Sequence, residues 1–307
     1  MNYESMIDSL NDDMQYTFFE NALEVINLNE EFNIGDKIEA IKTAVINFFK
    51  TIAEKMRNFI NWVKKKIKGD KDDKKEVEEV ARAISASPEK MVDLGDQHIK
   101  FNQIHKNRVT MLLTLQDQGI EDVEKIARIA ADTGNGAADR LEAARDMHES
   151  YLKKVESMGI TTKDNKESIY SSLFTSSELG KVTAATVKSF GSEITYAQSL
   201  IDSANEKAKK FDQACTKAKS AIASIKPTKR KNGTGVPSSS MRGGSNPTAR
   251  LKKVCSTLVA ETRVTYSVIT TAFRTLTRHK VQMSALIARV KAKLNPRSVK
   301  GNTREVE

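Results

Sequence analysis

Few side chains in this chain can carry a proton, hold a metal or act as a nucleophile. There are four histidines (His98, His105, His148 and His279) and two cysteines (Cys215 and Cys255) in 307 residues. His98 and His105 are seven apart, a spacing that would put them on one helix face, but no HExxH, CxxC or DxDxDG pattern accompanies them to complete a metal shell. No GxxxxGK(S/T) or GxGxxG loop is present to cradle a phosphate, and no local nucleophile signature surrounds a serine or cysteine. Adjacent carboxylates such as Glu78 and Glu79 sit in a solvated charged run, without the apolar pocket that would raise a carboxyl pKa for acid–base work. The sequence therefore assigns no catalytic residue, no metal ligand and no cofactor. It points to a structural or binding protein whose chemistry is that of its surface charge.

That charge is sorted along the chain. Residues 1–36 hold nine acids and no Lys or Arg, and residues 37–69 hold nine bases against two acids. Residues 70–81 carry six acids and three bases, residues 82–225 are balanced, and residues 226–307 carry eighteen bases against three acids. A neutral middle between an acidic leader and a basic end says more about partners than the net charge of +10. Phosphate would be attracted to the C-terminal block, with Lys229, Arg230, Lys231, Arg274, Arg278, Arg289 and Lys293 as candidate nucleic-acid contacts. No helix-turn-helix, zinc or aromatic-platform pattern accompanies them, so any binding should be independent of sequence.

The elements that must position these residues read as helices. Apolar content is 39%, aromatics 6%, and there are only 14 Gly and 5 Pro, a composition that favours long helices over a β-fold. Residues 1–36 show a weaker stripe (Met6, Leu10, Met14, Phe18), compatible with a short acidic helix or a flexible leader. Ile34, Ile38, Ile41, Val45, Phe48, Ile52, Met56, Phe59, Val63 and Ile67 then recur at steps of three and four, one helix face about 50 Å long. Lysines flank this face, and Trp62 stands near its basic end, so Ile38, Ile41, Val45, Phe48, Ile52, Phe59, Trp62 and Val63 form a face suited either to a partner helix or to a membrane surface.

Residues 70–81 read as a charged connector, and the helical pattern resumes over 88–117 through Met91, Leu94, His98, Phe101, His105 and Leu112. Gly119 is expected to break it, with a short helix to about 130, a turn at 133–136 and a helix over 137–158. From 177 to 225 the pattern predicts one long helix. Within it Ile194, Ala197, Ile201, Ala204, Ala208, Phe211, Cys215, Ala218, Ile222 and Ile225 make a heptad seam of mostly small residues. Residues 226–249 read as a polar Gly/Ser/Pro linker, 250–294 as a basic helix with Glu261 on its polar face, and 295–307 as a tail. A hairpin about the linker would bring Cys215 near Cys255, where two buried free thiols are expected rather than a bridge. The start is acidic without an apolar core, and no apolar run reaches 18 residues, so neither a secretory signal nor a membrane span is expected.

Together these features predict an all-α fold, an elongated, coiled-coil-like helical bundle of long amphipathic helices. The layout of acidic leader, basic amphipathic helix, helical body and Lys/Arg-rich end resembles the structural and internal head proteins of large tailed bacteriophages. That resemblance implies a non-enzymatic virion protein, made in the bacterial host cytoplasm, whose partners are other virion proteins, copies of itself and packaged DNA. Some such heads mature by cleavage after Glu in Leu/Ile-x-Glu, which Leu28-Asn29-Glu30 matches, as does Ile52-Ala53-Glu54. Two other readings use the same residues: a membrane-active protein working through helix 34–68, and a non-specific nucleic-acid-binding protein.

Overall fold

The computed structural model describes residues 34–66, 70–94, 99–134, 140–160, 172–226 and 247–294. The acidic leader as far as residue 33, the Glu30 processing candidate, His98, the basic triplet Lys229–Lys231 and the tail 295–307 lie outside the described residues.

Within them the fold is all-α. The helices are α1 (Ile34–Lys66), α2 (Asp70–Ala86), α3 (Lys106–Gly134), α4 (Leu141–Ser157), α5 (Ala184–Ala223) and α6 (Pro247–Leu294). Four short strands, β1 (Met91–Asp93), β2 (Ile99–Ile104), β3 (Phe174–Leu179) and β4 (Lys181–Thr183), pair antiparallel as β1 with β4 and β2 with β3. The chain divides into two compact units. One takes residues 1–60, 114–157 and 207–268, and the other takes 61–113, 158–206 and 269–307.

In the first unit, segments of α1, α3, α4, α5 and α6 share a core that the stripes anticipate. Ile38, Ile41, Val45, Phe48, Ile52, Met56 and Phe59 of α1 are all buried, as are Phe211, Cys215, Ala218 and Ile222 of α5 and Leu251, Val254 and Leu258 of α6. Fully burying an aliphatic or Phe side chain contributes roughly 1.5–3 kcal/mol, so the α1 face alone outweighs the ion pairs at its edges, such as Arg57–Asp212 at 3.2 Å. Gly119 does not break α3. The helix runs through it, because a Cβ at this position would come within 2.5 Å of both the Tyr151 hydroxyl and Thr265 Oγ1. The glycine is where α4 and α6 press on α3, and the close approach outweighs the roughly 1 kcal/mol propensity loss of Gly within a helix.

In the second unit three sequence expectations are corrected. The charged connector 70–81 is part of α2: Lys74, Lys75, Glu78 and Glu79 are exposed while Val77, Val80, Ala81 and Ile84 enter the core. The helix expected over 88–117 begins only at Lys106, and residues 91–93 and 99–104 are strands. Likewise the helix expected from 177 begins at Ala184, after strands β3 and β4. The reason is pairing. Ile99, Phe101, Asn102 and Ile104 are buried and Lys100 and Gln103 exposed, and their hydrogen-bonding partners, Phe174 to Leu179, lie some seventy to eighty residues away. The β1–β4 ladder continues the same ribbon, out of phase by four residues, the number between Leu94 and Ile99. The ribbon covers a core of Val77, Ile84, Leu94, Phe101, Phe190 and Met283 with its neighbours. Phe101 and Phe190 meet at 4.9 Å between ring centroids. Gly191 lets α2 approach α5, since a Cβ there would lie 2.8 Å from a Val77 methyl.

Candidate nucleic-acid interface

The reactive side chains are consumed by packing. Cys215 and Cys255, both in the first unit, are free and fully buried. Burial pushes the Cys255 thiol up to about 12 and raises the Cys215 thiol as well, so neither is a thiolate at neutral pH. His148 on α4 meets Glu261 on α6, with Nδ1 2.7 Å from Oε2. The Glu261 carboxyl has no exposure, and burial pushes its pKa up to about 7 against the opposing pull of His148. Tyr151, one turn along α4, is raised by the same loss of water. Glu261 thus leaves the polar face expected for it and becomes a core residue between Leu258 and Thr265.

A second pair lies in the other unit. His279 of α6 is fully buried, stacks on Phe174 at 4.5 Å and faces Glu193 of α5 at 3.4 Å. Glu193 Oε2 also accepts the Ile104 amide at 3.1 Å and so ties the end of β2 to α5. Neither carboxylate–imidazole pair was legible from spacing, because each joins residues about ninety or more apart in sequence. The one available signal was Glu261, a lone acid in a 45-residue basic stretch and three residues from a core leucine. His105 is exposed between β2 and α3, and among the described residues no cluster of His, Cys, Asp and Glu could hold a metal ion.

The structure divides the basic residues of α6, which were expected to line one polar face. Lys280 is buried, hydrogen-bonded to Gln198 Oε1 at 2.9 Å and 3.7 Å from Asp73. Lys291 lies 3.4 Å from both Glu76 and Glu79. The acidic run of α2 therefore neutralises one side of the C-terminal half of α6, with Ser284 donating to Asp73 at 3.1 Å. Arg274 is half-buried, while Arg278, Arg289 and Lys293 are exposed. Val281, Ala285, Ala288 and Ala292 are exposed beside them, and Val281 retains 61% of its surface. At about 100° per residue these seven side chains fall within a sector of about 140°, opposite the face that carries Met283, Ile287 and Val290 into the core. Since the only acid of α6 is buried, the helix presents no carboxylate of its own to solvent.

The candidate membrane face is spent inside the protein. Ile38, Ile41, Val45, Phe48, Ile52 and Phe59 are buried in the first unit; Val63 is buried and Trp62 half-buried in the second. No helix among the described residues is long and apolar enough to cross a membrane. In the second unit an open groove of about 540 Å³ runs between α2 and α5, lined by Asp73, Val77, Lys188, Gly191 and Tyr196 among others.

Comparison with protein-family models, with curated proteins and with solved structures gave no match.

Proposed function

We propose that this chain is a non-enzymatic structural protein of a tailed-phage particle, one that packs with other virion proteins and associates with duplex DNA without sequence preference. The observation that carries the DNA part is the exposed face of α6. Three cations stand there on one sector, and the single acid of the helix is buried beneath Tyr151 and His148. Phosphate contacts fix position and carry no base information, which suits a surface with no base-reading motif. The structural role is supported by where the reactive groups sit: both cysteines, His279 and Glu261 are buried within the packed helices. The layout of acidic leader, basic amphipathic helix and basic end favours a particle component over a free host DNA binder.

The test is a salt titration of duplex binding by the full chain. Replacing Arg278, Arg289 and Lys293 with Gln should lower the magnitude of the log–log slope by about 3, at about 0.9 per phosphate neutralised. A slope unchanged by the triple substitution would mean that these charges only keep α6 solvated. Mass spectrometry of purified particles of the encoding phage tests the location: the protein should be present in the particle, and its absence there would overturn the virion reading.

A further inference from the structure

The pairing of β2 with β3, all of it in the second unit, fixes which backbone groups of the ribbon face outward. His105 N–H donates to the Leu173 carbonyl at 2.8 Å. In the antiparallel register, residues 175, 177 and 179 therefore bond to β2, and residues 174, 176 and 178 point their amides and carbonyls away from it. On β2 the outward amide of Ile104 is taken by Glu193 Oε2 of α5 at 3.1 Å. On β3 the outward amides of Ser176 and Glu178 have no partner among the described residues. Thr175, Ser176, Ser177 and Glu178 are all exposed, although successive side chains point to opposite faces, so neither face of this stretch is covered. The ribbon is thus capped by α5 at the end of β2 and open along the middle of β3.

An open strand edge is a template for a further strand, and natural edges are blunted by Lys, Pro or a bulge. Residues Thr175 to Ser177 carry no Lys or Pro and pair without a bulge. They suit a second copy of themselves. Antiparallel pairing about a two-fold axis at Ser176 sets Ser176 against its mate, Thr175 against Ser177 of the second copy, and Ser177 against its Thr175. Every central cross-strand pair is then hydroxyl on hydroxyl, and Thr–Ser pairs across strands are favourable. Glu178, the only charged residue of β3, would stand four residues, about 14 Å along the strand, from its mate, beyond the ~8 Å screening length at physiological salt. Centring the pair on Glu178, the other open position, would instead set the two carboxylates face to face. We propose that β3 is a self-association edge, through which two copies of the chain pair antiparallel about Ser176 and join their ribbons into one four-stranded sheet.

The experiment follows the full chain by sedimentation velocity from micromolar to submillimolar concentration, where the wild type should form a concentration-dependent dimer. Ser176→Pro removes the outward amide and leaves the bonds of β3 to β2 in place, since an edge position whose N–H faces solvent is where a strand accepts Pro. Both central bonds of the dimer are lost, one from each copy, and the dissociation constant should rise about tenfold or more. Ser176→Ala loses the same hydroxyl bond to Asn102 but keeps the amide, and should dimerise nearly as well as the wild type. Ser176→Cys gives a second readout should the Pro variant fail to fold. Its mate would stand about 5.5 Å away between Cα atoms, within disulfide reach, and both native cysteines are buried. Copper–phenanthroline oxidation should link S176C into covalent dimers and leave T175C, whose mate is displaced two residues along the strand, mostly unlinked. A wild type that stays monomeric throughout, a dimer as tight in a folded S176P as in the wild type, or equal linking of S176C and T175C would each overturn the proposal.

Discussion

Replacing Glu261 by Gln should make the protein more stable at neutral and alkaline pH and change it far less in acid. The carboxyl is fully buried and titrates at about 7 instead of near 4.5. The folded state therefore holds this proton more tightly than the unfolded chain does. The favourable contribution of the neutral carboxyl is fully present below about 4.5, declines as pH rises, and is lost once pH passes about 7. At 1.36 kcal/mol for each pH unit of separation, the anion costs ~3 kcal/mol of stability above neutrality. Gln keeps the shape and a polar contact to His148 but cannot ionise. Urea denaturation followed by far-UV circular dichroism, run on both proteins at about pH 4.5 and about pH 8, measures the difference directly. The gap between variant and wild type should widen by ~3 kcal/mol in favour of Gln from the lower to the higher pH. Parallel pH dependence in the two proteins would refute the reasoning and show that Glu261 is as readily ionised in the core as in the unfolded chain.

Substituting Gly119 by Ala should destabilise the protein by about 1–3 kcal/mol despite the better helix propensity of Ala, since the new methyl meets Tyr151 and Thr265; a thermal melt reads this, and an unchanged or raised midpoint would contradict the packing. Cys215 and Cys255 should resist an aromatic disulfide reagent in the native protein and react together on addition of denaturant, because both thiols are buried and raised. Replacing half-buried Glu76 and exposed Glu79 by Gln removes two solvent-reached partners of Lys291, so stability should fall by no more than about 1 kcal/mol. Replacing Ile41 or Val45 by Asp should unfold the first unit, whether or not membranes are present, because these residues serve its core; a soluble, folded variant would show that the α1 face is dispensable to the fold.

The long helices were legible in the sequence because their information is local. The α5 seam from Ile194 to Ile222 and the α1 face from Ile38 to Val63 repeat every three or four residues, and a helix needs only that period and its own backbone hydrogen bonds to form. The strands were not legible. Met91, Leu94, Phe101 and His105 mimic helical spacing, and the short segment Ile99 to Ile104 becomes a strand only once Phe174 to Leu179 arrives beside it from a distant part of the chain. Residues 70–81 looked like a solvated connector because charge dominates their composition, whereas Val77, Val80 and Ile84 matter only with Phe190 and Met283 to pack on.

The same division holds for the candidate site. That the C-terminal block is basic follows from composition alone. Which cations meet solvent was decided by tertiary structure, since α2 brings Asp73, Glu76 and Glu79 onto Lys280 and Lys291 and leaves Arg278, Arg289 and Lys293 on the opposite face. The fate of Glu261 was decided in the same way, by α4 placing His148 against it. A residue's charge and helical period are properties of its neighbours in sequence, but its burial and its partner are set by segments that only folding brings together.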